Sequence, residues 1–249
     1  MTKPFEKRAL EFGLEKTRVL CLSGSSENPS FPFLAFLTKY MAKSKFLFCS
    51  FGENFAKMVF LLKRQDFPEE RMKDISFLDF FSDTAQFVER DYPITNSALR
   101  HKESVTKGPN AFSAEFLRSM AEDIERQSEG KVVVLSDLHF LVLLINETDF
   151  PEAEKLKIFV DFLEKICSSK AQQVIISFDR EIFELEEFAK FKKWIRFFGY
   201  LTLNVKDLES GPSNDVSGLL EFSHREKESL LKVKKSVKFT YKANGIEFF

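Results

Sequence analysis

The sequence predicts an α/β fold: a mostly parallel sheet with helices on both faces, extended at its carboxyl-terminal end by antiparallel strands. Three observations carry this expectation. Short apolar runs of strand length alternate with stretches whose apolar residues recur at helical spacing, and near-continuous apolar strands joined through helices belong to parallel sheets covered on both sides. Beyond residue 200 the pattern changes to alternation with a period of two, the mark of strands with one buried and one solvated face. Asn244-Gly245 then stands between two such runs, which signals a tight hairpin with a type I′ turn.

Taken in order, residues 19–22 (VLCL) read as the first strand. Phe33, Phe36, Leu37, Tyr40 and Met41 then form one helical stripe, and Ser30 before Phe31 and Pro32 offers a cap and a first-turn proline. That helix is expected over residues 31–43. Residues 46–49 (FLFC) read as a strand, Phe55, Met58, Val59 and Leu62 as a helix face, and residues 75–78 (ISFL) as another strand. The segment from Asp91 to Asn110 holds Pro93, Gly108 and Pro109 with little periodicity and reads as a long loop. Leu117, Met120, Ala121 and Ile124 mark the next helix, residues 132–135 (VVVL) a strand, and Leu156, Phe159, Val160 and Leu163 a further helix. Residues 174–178 (VIISF) are a strand and residues 183–193 a helix. Leu201, Leu203 and Val205 then face one way with Thr202 and Asn204 opposed, and Val237, Phe239 and Tyr241 alternate with Lys238 and Thr240.

Composition fits one globular domain over residues 1–249: 37 Lys+Arg against 38 Asp+Glu, 44% hydrophobic and 30% charged residues. A chain of this length buries roughly 70–75% of its unfolded surface and needs neither disulfide nor metal to hold together. The longest stretch without Asp, Glu, Lys or Arg is residues 28–38, short of the ~18 apolar residues that a membrane-spanning helix requires. The opening residues MTKPFEKR carry no apolar core and no small-residue cleavage site. The expected address is cytoplasmic, with the nucleus as a second. Cys21, Cys49 and Cys167 each lie in an apolar segment and read as free thiols. The 31 phenylalanines, against four Tyr and one Trp, are spread over strands and helices, so they read as core filler in place of leucine and not as a stacking platform.

Nine glycines let every phosphate motif be tested by inspection. Only Gly130 precedes a lysine, and Val132 follows where a phosphate loop needs Ser or Thr. No G-x-G-x-x-G and no G-x-S-x-G occurs. His101, His139 and His224 are far apart, without H-E-x-x-H or a nearby cysteine. The chain is therefore expected not to be an enzyme, with no catalytic residue, cofactor or metal.

Four constellations remain. Asp137 ends the 132–135 strand, where parallel sheets bind ligands; without a phosphate-loop lysine it reads as the cap of the next helix. The loop after the first strand, residues 23–30 (SGSSENPS), has the place of a phosphate loop but offers Glu27 and no lysine, and a degenerate nucleotide site shared with a neighbouring subunit is its other reading. Basic residues gather twice. One patch is Arg100, His101, Lys102 and Lys107 in the long loop; the other runs from Arg225 to the end, with seven Lys+Arg against three Glu and with Lys234 beside Lys235. Phosphate contact is one reading of both, and lysines guarding a sheet edge another. Arg100, Lys102 and Lys107 are the candidate nucleic-acid contacts. Finally, Glu147, Asp149, Glu152 and Glu154 crowd the stretch after the Asp137 strand, and Asp179, Glu181, Glu184, Glu186 and Glu187 follow the next. Acids at helix starts complement the macrodipole and repel a polyanion.

The order of three stretches resembles the Elongator complex subunit six family. They are residues 75–83 (ISFLDFFSD), residues 132–144 (VVVLSDLHFLVLL), and residues 214–222 (NDVSGLLEF), which look like that family's D-V-x-G-x-L strand; residues 238–249 (KFTYKANGIEFF) look like its closing hairpin. The resemblance implies a RecA-like three-layer fold without a phosphate loop. It also implies a non-catalytic subunit of a hexameric ring, with two copies each of Elongator subunits four, five and six. Such a ring binds tRNA and works with the catalytic Elongator subunits in wobble-uridine modification. The acidic loops lie where RecA-like rings place pore loops, which tells against direct tRNA contact by this subunit. The competing reading is a RecA-like accessory protein of DNA recombination that binds single-stranded DNA. A third, a RecA-like enzyme with an unusual ATP site, requires a compensating lysine or arginine.

Overall fold

A computed structural model of the chain describes residues 4–25, 29–52, 54–80, 114–208, 215–225, 232–243 and 245–249. The apolar runs become strands β1 (Val19–Gly24), β2 (Phe46–Ser50), β3 (Ile75–Asp79), β4 (Val132–Ser136) and β5 (Gln173–Asp179), followed by β6 (Leu201–Lys206), β7 (Gly218–Arg225), β8 (Lys232–Lys242) and β9 (Gly245–Phe248). They form one sheet in the order β3-β2-β4-β5-β1-β6-β7-β8-β9. From β3 to β6 every pairing is parallel, with Val133 and Leu20 opposite Val174 and Leu201 respectively; from β6 to β9 every pairing is antiparallel. The switch of hydropathy period near residue 200 is thus the switch from a sheet buried on both faces to one half-solvated.

The strand pleat sends alternate side chains into two cores. Leu20, Leu22, Val132 and Val134 enter one, beneath the helices Pro4–Glu11, Phe31–Tyr40 and Phe55–Arg64. Val19, Cys21, Val133 and Leu135 enter the other, beneath Ala114–Gln127, Leu138–Asn146, Glu152–Ser168 and Ala189–Phe198. Phenylalanine fills both. Phe5 alone meets Phe36, Tyr40, Phe222 and Phe248 with ring centres 4.7 to 5.7 Å apart, and edge-to-face aromatic pairs add about 0.5–1.5 kcal/mol beyond burial. That cluster ties the first helix, which the periodicity left unassigned, to the antiparallel strands.

Several expectations shift. The helix at Phe31 stops at Tyr40, because the chain folds back through residues 41–44 to enter β2. Instead of one helix over 183–193, two short 3-10 turns, Ile182–Glu184 and Glu186–Phe188, precede the helix Ala189–Phe198; Leu185 between them is extended (φ −63°, ψ 138°), and both Phe183 and Phe188 bury. In Glu152–Ser168 the inward face is Phe159, Phe162, Leu163 and Ile166, with Leu156 and Val160 half-buried. Thr240 is buried, its hydroxyl 3.3 Å from that of Ser217. At the closing hairpin Lys242 pairs with Gly245, so Gly245 belongs to β9 and not to the turn in which Asn-Gly would place it.

Candidate functional site

The carboxyl ends of β1, β4, β5 and β6 meet on one side of the sheet, and the sequence supplies them with small polar residues. Ser136 ends β4 and is buried. Asp137 follows with φ 57°, a left-handed backbone that costs a non-glycine residue about 1 kcal/mol. The geometry corrects the expected cap: Asp137 occupies the N-cap position of Leu138–Asn146 without a side-chain cap bond, and its carboxylate accepts from the Ser136 hydroxyl at 2.8 Å. Across the gap the hydroxyls of Ser30 and Ser177 are 2.7 Å apart, both buried. Ser30 likewise stands at an N-cap position without capping the helix it precedes, since its oxygen is spent on β5. Ser23 donates to Asn204 Oδ1 at 2.7 Å, and Ser25 to Asp207 at 3.4 Å.

His139, one residue into the helix after Asp137, is 7% exposed, and its Nδ1 accepts the backbone N–H of Asp179 at 3.2 Å. Burial pushes its pKa down to about 4, so at neutral pH the ring is uncharged and fastens this helix to the end of β5. No motif marks His139; its sequence signal is only a histidine inside an apolar helix.

The cations at these strand ends are committed. Arg180 lies 3.6 Å from Glu184. Lys206 donates to Glu221 at 3.0 Å, and Glu221 also accepts from Asn204 at 3.2 Å. Burial raises the Glu221 pKa, but Lys206, Lys234 and Asn204 together outweigh it and hold the carboxyl below its ordinary value. Lys57 reaches over the Phe31 ring at 5.5 Å, the nearest thing to a compensating lysine at the start of the helix after β1. That helix start is a poor phosphate cradle. Pro29 and Pro32 flank the N-cap, and each removes an N–H that a phosphate would need. Glu27 lies outside the described residues.

Elsewhere, burial pushes Cys21 and Cys167 up to about 12 and raises Cys49 as well, so the thiols stay protonated. Among the described residues no three His, Cys, Asp or Glu side chains gather to hold a metal ion, and no helix is long and apolar enough to cross a membrane. Glu147, Asp149, Glu152 and Glu154 are exposed, and Glu152 meets both Lys155 and Lys190. The carboxyl-terminal lysines divide: Lys234 and Lys235 lie on the part of β8 beyond the reach of β9 and pair with Glu221 and Glu11, whereas Lys242 is covered by β9. The edge reading therefore fits Lys234 and Lys235 and not Lys242. Arg100, His101, Lys102 and Lys107, and the whole Asp91–Asn110 loop, lie outside the described residues.

No family model matches the chain, and no curated protein matches its sequence. The crystal structure of a KaiC-like protein from the hyperthermophilic archaeon Pyrococcus horikoshii OT3 matches with a TM-score of 0.54 and 12% identity, over 94% of this chain and 90% of that one. The fold is RecA-like. The RecA-like sheet accounts for the position of Asp137, since the ends of β4 and β1 flank β5. At that corner this chain sets hydroxyls and carboxylates bonded to one another.

Proposed function

We propose that the chain is a non-catalytic subunit of a hexameric RecA-like ring, in the manner of Elongator subunit six beside subunits four and five. The ring binds tRNA and supports wobble-uridine modification by the catalytic Elongator subunits. The observation that supports this reading is the corner between β1 and β4: Ser30 and Ser177 satisfy each other, Asp137 takes the Ser136 hydroxyl, and two prolines thin the amide donors of the loop. A corner filled in this way serves packing and assembly, not phosphoryl transfer. The RecA-like fold and the closing β8–β9 hairpin agree with the same resemblance.

Native mass spectrometry after co-expression with candidate subunits four and five is expected to give a heterohexamer with two copies of each. A chain that remains alone sinks the ring reading and favours the recombination accessory. In the assembled ring, replacing Arg100, Lys102 and Lys107 by alanine is expected to weaken tRNA binding about tenfold or more and to flatten its salt dependence, the slope changing by about 0.9 for each phosphate no longer neutralised. Unchanged affinity and slope reject these three as contacts.

A further inference from the structure

At the opposite end of the sheet, the helix Ala189–Phe198 presents an unusual outer face. Phe191 and Ile195 are its buried positions. Lys193, Arg196 and Phe197 are exposed, and Tyr200 follows just past the helix end. The first three stand at i, i+3 and i+4, the spacing of a single helical stripe, while Tyr200 comes after the extended Gly199 and is not part of the helix. Phe197 is 64% and Tyr200 43% exposed. Trp194 packs edge-on to Phe197 with ring centres 5.4 Å apart, and Tyr200 stacks on His224 at 6.2 Å. The Tyr200 N–H donates to the carbonyl of Val19 at 3.1 Å, which fixes Tyr200 and the end of the helix beside the start of β1, away from the corner at that strand's far end.

The charge on this face is one-sided. The helix has four cations and no acid. Lys190 is taken by Glu152, but among the described side chains no carboxylate forms an ion pair with Lys192, Lys193 or Arg196. Burial and the nearby Arg196 guanidinium lower the Lys192 pKa against the pull of Glu184, which itself serves Arg180. An outer helix face ordinarily carries charges paired along the helix; this one alternates unpaired cations with bare rings. A polyanion with flat apolar faces complements both features, because phosphates meet the cations and bases stack on the rings. Lipid fits less well, since the helix has already spent its apolar face on the core.

We propose that Lys192, Lys193 and Arg196 with Trp194, Phe197 and Tyr200 form a binding surface for single-stranded nucleic acid. The surface lies within one chain and does not depend on the ring reading: assembly can fail while oligonucleotides bind, and the reverse. Trp194 is the sole tryptophan and reports on its own surroundings. The full chain is titrated with oligouridine and oligothymidine of about twelve nucleotides, within the span of such surfaces. Binding is expected to change Trp194 fluorescence. Phe197→Ala should weaken affinity about tenfold with the salt slope intact, the signature of a lost stack. Lys193→Ala with Arg196→Ala should reduce the slope by about 1.4, at about 0.7 per phosphate of a single strand. These side chains are exposed, and unchanged melting temperatures confirm intact variants. Tighter oligouridine binding assigns RNA, and equal binding assigns backbone and stacking alone. The proposal is overturned if neither oligonucleotide binds, if both variants bind like the parent, or if vesicles rich in phosphatidylserine or an acidic peptide bind more tightly than either.

Discussion

Lowering the pH from 6.5 to 4.5 is expected to remove roughly 2–3 kcal/mol of folding stability through His139 alone. The ring is 7% exposed, and burial pushes its pKa from 6.5 to about 4. An unfolded chain therefore binds a proton in this interval that the folded chain refuses. Stability is full above pH 6.5, falls as pH drops towards 4, and reaches its lower plateau below that. The local cause is specific: Nδ1 accepts the Asp179 amide at 3.2 Å, so a proton there sets two donors against each other in a buried place. The first part to loosen should be the attachment of Leu138–Asn146 to the end of β5, at the corner that holds Asp137. Urea midpoints measured from pH 7 to 4.5 check the size of the effect, and amide exchange in residues 138–146 checks its place. His139→Gln keeps an acceptor for the Asp179 N–H without a titrating ring, so it should flatten most of the slope above pH 4.5. A variant with the parent's slope would show that the imidazole is not held neutral.

The layers of the fold were legible because burial acts on short runs. Residues 132–135 must be apolar on both sides to lie inside a parallel sheet, and Leu201, Leu203 and Val205 must alternate to lie at its half-solvated end, as their burial confirms. Helix ends were less legible, since Met41 and Leu185 continue an apolar pattern while the backbone turns elsewhere. The corner was legible by position only. Asp137 announces a strand end, but its left-handed backbone and its bond to Ser136 depend on neighbours that no spacing rule encodes. Ser30 reads locally as a cap, yet Ser177, 147 positions away, claims its hydroxyl. The stripe on Ala189–Phe198 escaped for the same reason that blurred that helix: with the helix placed at 183–193, Arg196 and Phe197 do not share a face with Lys193.

Gly218→Ala is expected to cost about 3 kcal/mol or more, at or above the upper end of the range for overpacked cores. The residue opens β7 opposite Phe239 of β8, and a Cβ built on it would lie 2.4 Å from the Lys206 carbonyl and 2.8 Å from the Phe239 ring. Neither neighbour can yield cheaply. The carbonyl is backbone at the end of β6, and the Phe239 ring is fully buried, edge-on to Phe33 at 4.9 Å. A methyl group must therefore open the β6–β7 seam or displace a core ring, and the same seam carries the bond from Lys206 to Glu221. Gly130→Ala supplies the comparison. Gly130 has φ 66° but nothing within 4 Å of its added Cβ, so only the left-handed backbone penalty of about 1–2 kcal/mol applies. Urea unfolding of the two variants separates steric from conformational cost. If Gly218→Ala is no more destabilising than Gly130→Ala, the close approach at the β6–β7 seam is not what demands glycine in Asp215-Val-Ser-Gly-Leu-Leu220.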